Sequence, residues 1–219
     1  MTEEIKIVAR RHLAAEGPDL SLRAVARDLN MVSSAVYRYF PSRDDLLTAL
    51  IVDAYDALGE ATEKADAEVP KRRDFLGRWL AVARAVREWA LKRPHEYALI
   101  YGSPVPGYAA PQDTVAPATR VVAVLGAILV DATAAGALSA AEHHLRLPAA
   151  LRTELHRIAQ AIAPGVDERV LGRAMMAWTE LLGAVSFELF GHFTNVFDER
   201  DAWFEYQMRS LVLFIGLTY

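Results

Sequence analysis

The stretch from residue 21 to residue 47 constrains the fold most, because it predicts two short helices joined by a tight turn and followed at once by a third helix. Ser21 is a typical N-cap residue. After it, four apolar side chains recur at i, i+3, i+4 and i+7, which places them on one helix face: Leu22, Val25, Ala26 and Leu29. Asn30 follows, and Asn tolerates the left-handed backbone of a sharp turn. This order of elements is typical of a helix-turn-helix unit that binds DNA.

The second helix, predicted from about Ser33 to Phe40, has one inward and one outward side. Val36 and Phe40 are spaced i, i+4 and indicate the inward side. The outward side carries small residues followed by tyrosine and arginine: Ser33, Ser34, Ala35, Tyr37, Arg38 and Tyr39. Small residues let a helix lie deep in the major groove, and longer polar side chains reach phosphates or base edges. Ser42 and Asp45 then resemble a capping box that begins the third helix.

The run A-x-x-L-N-M-x-S-S-A-V-Y-R-Y-F-P-S-R-x-x-L-L, residues 26–47, resembles the signature of the TetR family of bacterial one-component transcriptional regulators. The resemblance is specific over about the first fifty residues and weaker beyond them. It implies that three side chains touch DNA phosphates: Tyr37, Tyr39 and Arg43. It also implies that four positions face the bases: Ser33, Ser34, Ala35 and Arg38. Ser21 and Arg23, at the start of the first paired helix, complete the predicted DNA-binding set.

Two positions depart from the family pattern. Asn30 stands where the family usually has a turn glycine, and Val32 stands where it usually has the serine that begins the recognition helix. Ser33 is therefore our prediction for the cap of that helix. The alternative is an ordinary three-helix corner with Tyr37 and Tyr39 in its core. The cap, the turn residue, the proline stop and the basic restart occur in order and at the expected spacing, which favours DNA binding.

The charge distribution is compatible with binding a few phosphates, though not with general polyanion binding. The chain has 24 Lys and Arg residues against 28 Asp and Glu residues, a net charge of −4. Residues 1–45 hold seven basic and seven acidic residues, so the rest of the chain carries the whole negative balance. Affinity for DNA would then depend on a few well-placed arginines and on pairing two subunits.

The remaining sequence predicts an all-α protein. It has 219 residues, of which 53% are hydrophobic, and no sustained period-2 alternation. We expect a helix-turn-helix DNA-binding domain over residues 1–48 and a helical ligand-binding and dimerisation domain over residues 49–219. An N-terminal helix carries Ile5, Val8, Ala9, His12 and Leu13 on one face. After the two paired helices, the predicted helices cover about 43–68, 74–92, 94–101, 118–138, 148–162 and 170–193, with a last helix after an Asp198 cap. The absence of cysteine excludes disulfides, and an acidic N-terminus without a continuous apolar segment predicts a cytoplasmic protein.

The last two helices predict a homodimer interface over about residues 167–217. Between residues 170 and 193 the strongly polar side chains lie within roughly 80° of one another on a helical projection: Arg173, Glu180, Glu188 and His192. Such a helix needs neighbours on most sides, and its four polar groups argue against a membrane span. Two such helices favour a four-helix bundle across a twofold axis. The segment W-T-E-L-L-G, residues 178–183, also resembles the W-x-x-x-H-G pattern of the WHG domain, with Leu182 in the place of histidine. The alternative is that this helix is the buried centre of a monomer.

The resemblance further implies a small-molecule ligand inside the larger domain. Several large side chains are candidates for the wall of an apolar cavity: Trp79, Trp89, Tyr97, Tyr101, Met175, Trp178 and Phe187. Mostly aromatic walls with few charges suggest a hydrophobic or aromatic ligand. We expect a repressor whose dimer reads a palindromic operator, with half-sites about 34 to 36 Å or a multiple of a turn apart. Ligand binding would swing the long helix over 43–68 and move the recognition helices off that spacing.

Catalytic and metal-binding motifs are absent from the sequence. Glu142 adjoins His143 and His144, and Glu188 with His192 forms an i, i+4 pair, but neither set has further ligands at diagnostic spacing. We therefore predict no metal, no cofactor and no catalytic residue. Two alternatives stay open: an all-helical enzyme with His95, His143 or His192 as its base, and a DNA-binding regulator controlled by a protein partner.

Overall fold

The computed structural model describes residues 1–17, 20–139 and 147–217. This part of the chain is helical and contains no β-strand, which confirms the all-α class. The α-helices are α1 (Thr2–Glu16), α2 (Leu22–Asp28), α3 (Ser33–Tyr37), α4 (Arg43–Ala67), α5 (Phe75–Lys92), α6 (Pro94–Tyr101), α7 (Val115–Ala134), α8 (Ala149–Ile162), α9 (Glu168–Leu189) and α10 (Arg200–Ile215). A 3₁₀ turn, Gln112–Thr114, precedes α7.

The chain divides into two compact units, each built from two segments. The N-terminal unit comprises Met1–Gly59 and Lys92–Arg120, and the C-terminal unit comprises Glu60–Leu91 and Val121–Tyr219. The N-terminal unit thus contains α6 and the loop after it, besides the helices that the sequence assigns to DNA binding. The functional boundary at residue 48 stays a prediction.

The core of the N-terminal unit joins α1, α2, α3 and α4. Burying each Val, Leu, Ile or Phe side chain of this core contributes about 1.5 to 3 kcal/mol. The core comprises Ile5, Val8, Ala9, Leu13, Leu20, Leu22, Val25, Ala26, Val36, Phe40, Leu46, Leu47, Leu50 and Val105. Val105 comes from the loop after α6, and Leu99 of α6 and Tyr108 of the loop pack against the same core. This loop therefore forms part of the unit that holds the paired helices.

Ion pairs also hold α1 against α4. Asp53 of α4 accepts hydrogen bonds from Lys6 Nζ at 3.0 Å and from Arg10 Nη2 at 2.5 Å. Burial disfavours the charged form of Lys6, but the bonds and charges of Asp53 and Glu3 outweigh it and raise the pKa of Lys6. These pairs orient α1 along α4 in addition to the apolar contacts.

In the C-terminal unit, α9 packs against both α8 and α10. Each helix contributes buried apolar side chains, among them Phe75, Val86, Ile128, Leu155, Leu181 and Met208. Arg78 is buried and satisfied by two carboxylates, since its Nε lies 2.7 Å from Asp66 and its Nη1 lies 2.6 Å from Asp131. The backbone of α7 comes very close to the end of α8, because a Cβ at Gly126 would lie 2.2 Å from the carbonyl oxygen of Ile162.

The connection between α9 and α10 differs from the sequence prediction. α9 ends at Leu189, and the chain leaves the helical path at Gly191 (φ 80°) and Asn195 (φ 62°), both in the left-handed region. The predicted helix to residue 193 is therefore too long, and His192 lies in a turn. The predicted Asp198 cap is also wrong, because Glu199 occupies the N-cap of α10 and makes no side-chain capping bond.

The predicted helical pair of Glu188 and His192 is consequently not formed as an i, i+4 pair. Glu188 instead accepts two hydrogen bonds from the guanidinium of Arg87, at 2.6 and 2.7 Å, and Arg87 also lies over the Phe204 ring. The residues that the structure describes contain no group of three or more metal-ligating side chains. Glu142, His143 and His144 lie outside the described residues.

One segment, Gln112–Ala134, is long and apolar enough to cross a membrane by length and composition. This is weak evidence of a membrane span, because the core helix of a soluble protein meets the same criteria. Part of the segment is buried within the protein, including Val121, Leu125 and Ile128.

Candidate DNA-binding surface

The turn between α2 and α3 is fixed by backbone hydrogen bonds. Ser21 caps α2, with its hydroxyl accepting the Ala24 N–H at 3.4 Å, as predicted. At the other end Asn30 has φ 54°. Its N–H bonds to the carbonyl of Arg27, and the Met31 N–H bonds to the carbonyl of Ala26. This pair of bonds is the Schellman motif, so the predicted left-handed turn at Asn30 is confirmed.

The recognition helix α3 is shorter than predicted and has a different cap. It begins at Ser33 and ends at Tyr37, whereas the sequence predicted an end near Phe40. Val32 occupies the N-cap, and its apolar side chain makes no capping bond. The prediction of Ser33 as the cap is therefore wrong, because Ser33 is already the first helical residue.

The two sides of α3 match the predicted pattern of burial. Val36 is fully buried and Phe40 is nearly so. Tyr37 and Tyr39 are 41% and 46% exposed, respectively. The other predicted contact positions of this stretch are exposed at Ser34 and Arg38 and half-buried at Ser33 and Ala35. Ser21 and Arg23 at the start of α2 are also exposed. The alternative that buries the two tyrosines in the core is wrong.

The start of α4 places Arg43 next to this surface in the chain. The Ser42 hydroxyl accepts the Asp45 N–H at 3.1 Å and donates to the Asp45 carboxylate at 2.7 Å, which confirms the predicted cap. Arg43 is therefore the first residue of α4. It is half-buried, and its guanidinium lies 3.7 Å from the Asp44 carboxylate.

The sequence did not predict that the Val32 side chain is exposed beside α3. Its side chain is 71% exposed, although valine is usually buried, and it lies at the end of α3 that enters the groove in helix-turn-helix proteins. The signal in the sequence is its place beside Ser33 in a position where the family pattern has a polar residue. Contact between an apolar side chain and the methyl group of thymine is one way in which proteins read the major groove.

A hydrogen bond between α1 and α2 helps to hold α2 in place. His12 Nε2 lies 2.9 Å from the Asp28 carboxylate, and the His12 side chain is buried. This bond is the main cause that lowers the pKa of Asp28. Together with the shared apolar core, it holds α2 at a fixed position on α1.

The predicted ligand contacts do not all belong to one compact unit. Tyr97 and Tyr101 lie in the N-terminal unit, where their rings pack 5.3 Å apart. The other five lie in the C-terminal unit: Trp79, Trp89, Met175, Trp178 and Phe187. Trp79, Trp89 and Tyr97 are buried, whereas Phe187 is exposed. Whether any of them contacts a ligand stays a prediction.

Comparison with known proteins gives the same family at both ends of the chain. Residues 8–50 match the sequence pattern of bacterial regulatory proteins of the tetR family, and residues 79–211 match the tetracyclin repressor-like C-terminal domain. The chain belongs to the TetR family. It is an all-α, DNA-binding transcriptional regulator with a helix-turn-helix. The finer resemblance to the WHG domain stays a prediction.

Individual TetR-family relatives cover nearly the whole chain. The HTH-type transcriptional regulator Rv1816 of Mycobacterium tuberculosis is 43% identical over 221 residues, with 95% of this chain and 90% of that protein covered. The regulator Mb1846 of Mycobacterium bovis has the same identity and coverage. The crystal structure of the putative regulatory protein SCO4313 matches with a TM-score of 0.77 and 35% sequence identity. The match covers 96% of this chain and 94% of the SCO4313 chain. TetR-family proteins are regulators and not enzymes, which weighs against the enzyme alternative.

Proposed function

We propose that this protein is a repressor that binds a palindromic operator as a homodimer and is released by a small hydrophobic ligand. The observation that carries the DNA-binding part is the outward face of α3, where Tyr37 and Tyr39 are exposed while Val36 beside them in sequence is buried. Tyr37, Tyr39 and Arg43 would contact phosphates. Ser33, Ser34, Ala35 and Arg38 would face the bases, with Ser21 and Arg23 at the flank.

The homodimer is supported by an exposed apolar face on α9 and α10, which pack against each other. On α9, Met176, Gly183 and Phe187 lie on one stripe, and Met176 is 60% exposed. On α10, Tyr206 and Leu213 are 65% and 69% exposed. Large exposed apolar patches mark interaction surfaces. A partner helix can also approach closely at Gly183, where an added Cβ would meet no atom within 4 Å.

A twofold dimer would present two copies of α3 to one face of the DNA. The operator is then an imperfect palindrome whose half-sites lie about 34 to 36 Å apart, or a multiple of a helical turn. The alternative of a buried monomeric α9 has no support from the exposure of Met176 and Phe187. We place this activity in the cytoplasm, where a transcriptional regulator meets DNA, and we assign it no membrane partner.

The ligand part rests on two buried donors in the C-terminal unit. The indole N–H groups of Trp79 and Trp89 are buried and have no acceptor among the described residues. Buried polar groups are nearly always hydrogen-bonded, so a ligand that carries an acceptor and is otherwise apolar would satisfy them. Ligand binding would favour a conformer in which α4 moves the two recognition helices off the half-site spacing.

The experiment that tests the proposal is selection of genomic DNA fragments by the purified protein at about 0.15 M salt, where non-specific binding is weak. Wild type is compared with a Tyr37→Ala/Arg43→Ala variant and with Arg73→Ala, an exposed arginine of the C-terminal unit. We expect wild type and Arg73→Ala to recover one palindromic sequence and the double variant to recover none. Equal recovery by all three proteins, or no enrichment by wild type, would contradict the proposal.

A further inference from the structure

The C-terminal unit contains an open cleft lined by the start of α5, by the residues just before it and by Arg209 of α10. Its volume is about 570 Å³, which lies within the range of small-molecule sites in proteins. Two buried side chains, Phe75 and Leu80, contribute apolar surface to the wall. None of the predicted ligand contacts or DNA-binding residues lines this cleft, so it is a separate candidate site.

Basic side chains from three parts of the chain meet at this cleft. Lys71 and Arg73 come from the segment before α5, Arg84 from α5 and Arg209 from α10. Among the described residues of the wall, Asp74 is the one acidic residue. The cleft therefore has the opposite sign to the whole chain, which carries a net charge of −4. Side chains of one sign around a concave surface concentrate the potential inside it.

Two carboxylates neutralise part of this positive charge. Glu205 lies 2.7 Å from Arg84 Nη2 and 3.8 Å from Arg209 Nε. Asp74 accepts the Gly77 N–H at 2.7 Å and so caps the first turn of α5. Four basic groups against two acidic groups leave a surplus of two positive charges. Because Asp74 already caps the helix, this surplus comes from the side chains and not from the helix end.

Lys71 and Arg73 carry the charge that is left over. Neither side chain has a hydrogen bond or an ion pair to a residue that the structure describes. Arg72, which lies between them in sequence, is instead bound to the Asp66 carboxylate at 2.5 Å and does not line the cleft. The guanidinium fork matches two oxygens of a phosphate group, and the lysine ammonium adds a compact positive charge. The cleft thus offers basic groups that no carboxylate of the described chain occupies.

We propose that the cleft lined by Lys71, Arg73, Arg84 and Arg209 binds a small phosphorylated molecule. A phosphate monoester carries a charge of about −1.5 to −2 at neutral pH, which matches the local surplus. This ligand has the opposite chemistry to the hydrophobic one proposed above, and its binding does not require DNA. Arg73 lies outside the predicted DNA-binding set, so its replacement leaves the proposed operator contacts in place.

The small number of lysines allows a covalent test. The chain has four: Lys6, Lys64, Lys71 and Lys92. Pyridoxal 5′-phosphate carries an aldehyde and a phosphate, whereas pyridoxal carries the aldehyde alone. The lysine amine attacks the aldehyde and loses water to form an imine. Borohydride then delivers a hydride to the imine carbon while the nitrogen takes a proton from water, which leaves a stable secondary amine. Peptide mass spectrometry gives the initial rate at each lysine.

Lys64 is the internal reference, because its side chain is 73% exposed and lies outside the cleft wall. The ratio of the rates at Lys71 and Lys64 cancels the intrinsic reactivity of each aldehyde. We expect this ratio to be about tenfold higher with pyridoxal 5′-phosphate than with pyridoxal, since the phosphate directs the reagent to the cleft. Inorganic pyrophosphate should remove the difference with a saturating dose response at a constant ionic strength of about 0.15 M.

Two matched variants separate the cleft from the general surface charge. Arg209→Gln removes a basic group that lines the cleft but is distant from Lys71 in sequence. Arg72→Gln removes a charge next to Lys71 in sequence that does not line the cleft. We expect Arg209→Gln to lower the phosphate-dependent preference about fivefold. Arg72→Gln should change that preference by less than about twofold, because solvent and salt screen charges outside the site.

Equal rate ratios with the two aldehydes would overturn the site. So would competition by pyrophosphate that does not saturate, or an equal effect of the two arginine variants, because either result would assign the preference to the general surface potential. All of these rates are measured without DNA. A protein that selected no operator would contradict the proposed function, while the labelling would still decide whether the cleft binds phosphate.

Discussion

Two surfaces with exposed aromatic or aliphatic residues, one on α3 and one on α9 and α10, differ in the tips of their side chains. On α3, the exposed aromatic residues are Tyr37 and Tyr39, whose hydroxyls remain able to bond water or phosphate. On α9 and α10, exposed residues such as Met176, Phe187 and Leu213 end in apolar groups. The first surface suits a wet, charged partner, and the second suits a dry protein partner. The chemistry of the exposed side-chain tips therefore indicates which kind of partner each proposed surface would bind.

Introducing a charge into the α9 and α10 face should have the largest effect. Leu213→Glu would leave an unpaired carboxylate in the proposed dimer interface, and an uncompensated buried charge costs about 3 to 5 kcal/mol. We expect the dimer dissociation constant to rise about a hundredfold or more, measured by sedimentation equilibrium. Leu91→Glu, at an exposed leucine of α5, is the matched control and should stay dimeric. A dimeric Leu213→Glu protein would remove this face from the interface.

Removing one hydroxyl from each surface sharpens the comparison. Tyr37→Phe should weaken operator binding about ten- to a hundredfold, because a hydrogen bond to a charged group contributes about 1.5 to 3 kcal/mol. Tyr206→Phe, on the α10 face, should leave operator binding unchanged. Fluorescence anisotropy with labelled operator measures both. If the two variants behave alike, the tyrosine hydroxyls do not distinguish the surfaces.

The salt dependence of binding tests the role of Arg43. Each phosphate contact adds about 0.9 to the slope of log K against log salt. Arg43→Ala should therefore reduce that slope by about one and weaken binding similarly on all sequences. Arg38→Ala is expected instead to relax base preference at one position. An unchanged slope for Arg43→Ala would show that this arginine makes no phosphate contact.

The smallest expected effect concerns the hydrogen bond between His12 and Asp28, which holds α2 against α1. The bond from His12 lowers the pKa of Asp28 in the folded state below its unfolded value of about 3.9. The resulting stabilisation is present above that unfolded value and is lost as the pH falls through the lower, folded pKa. Asp28→Asn should reduce the loss of stability at acidic pH, measured by urea unfolding between pH 6 and pH 3. The α9 and α10 face provides the comparison, since Leu213→Glu should not alter this acid response of the N-terminal unit.

Local signals in the sequence predicted much of the fold. Pro94 at the first helical position gave the start of α6, and Ser21, Asn30 and Ser42 correctly gave the ends of α2 and the start of α4. Each of these residues acts through its own backbone or through a bond to a residue at most three positions away. Such features are visible in one short segment.

The misses have different physical causes. The apolar period continues beyond Leu189, so the pattern did not reveal that Gly191 and Asn195 take left-handed conformations. The packing of Val105 into the core of α1, α2 and α3 joins residues far apart in sequence, which no local pattern reports. The groove lined by α4, α6, the loop after α6 and the start of α7 was unpredictable for the same reason, because it joins four separate segments.

The place of Val105 in this core limits how the protein can be recombined. The segment matched as the family's DNA-binding part ends at residue 50, yet the core around it is completed by residues from the loop after α6. A chimera joined at residue 50 would replace the partners of Val105, Leu99 and Tyr108 with those of another protein. Exchange of operator specificity between relatives should therefore succeed only when the loop is carried over with the paired helices, so the two segments act as one module.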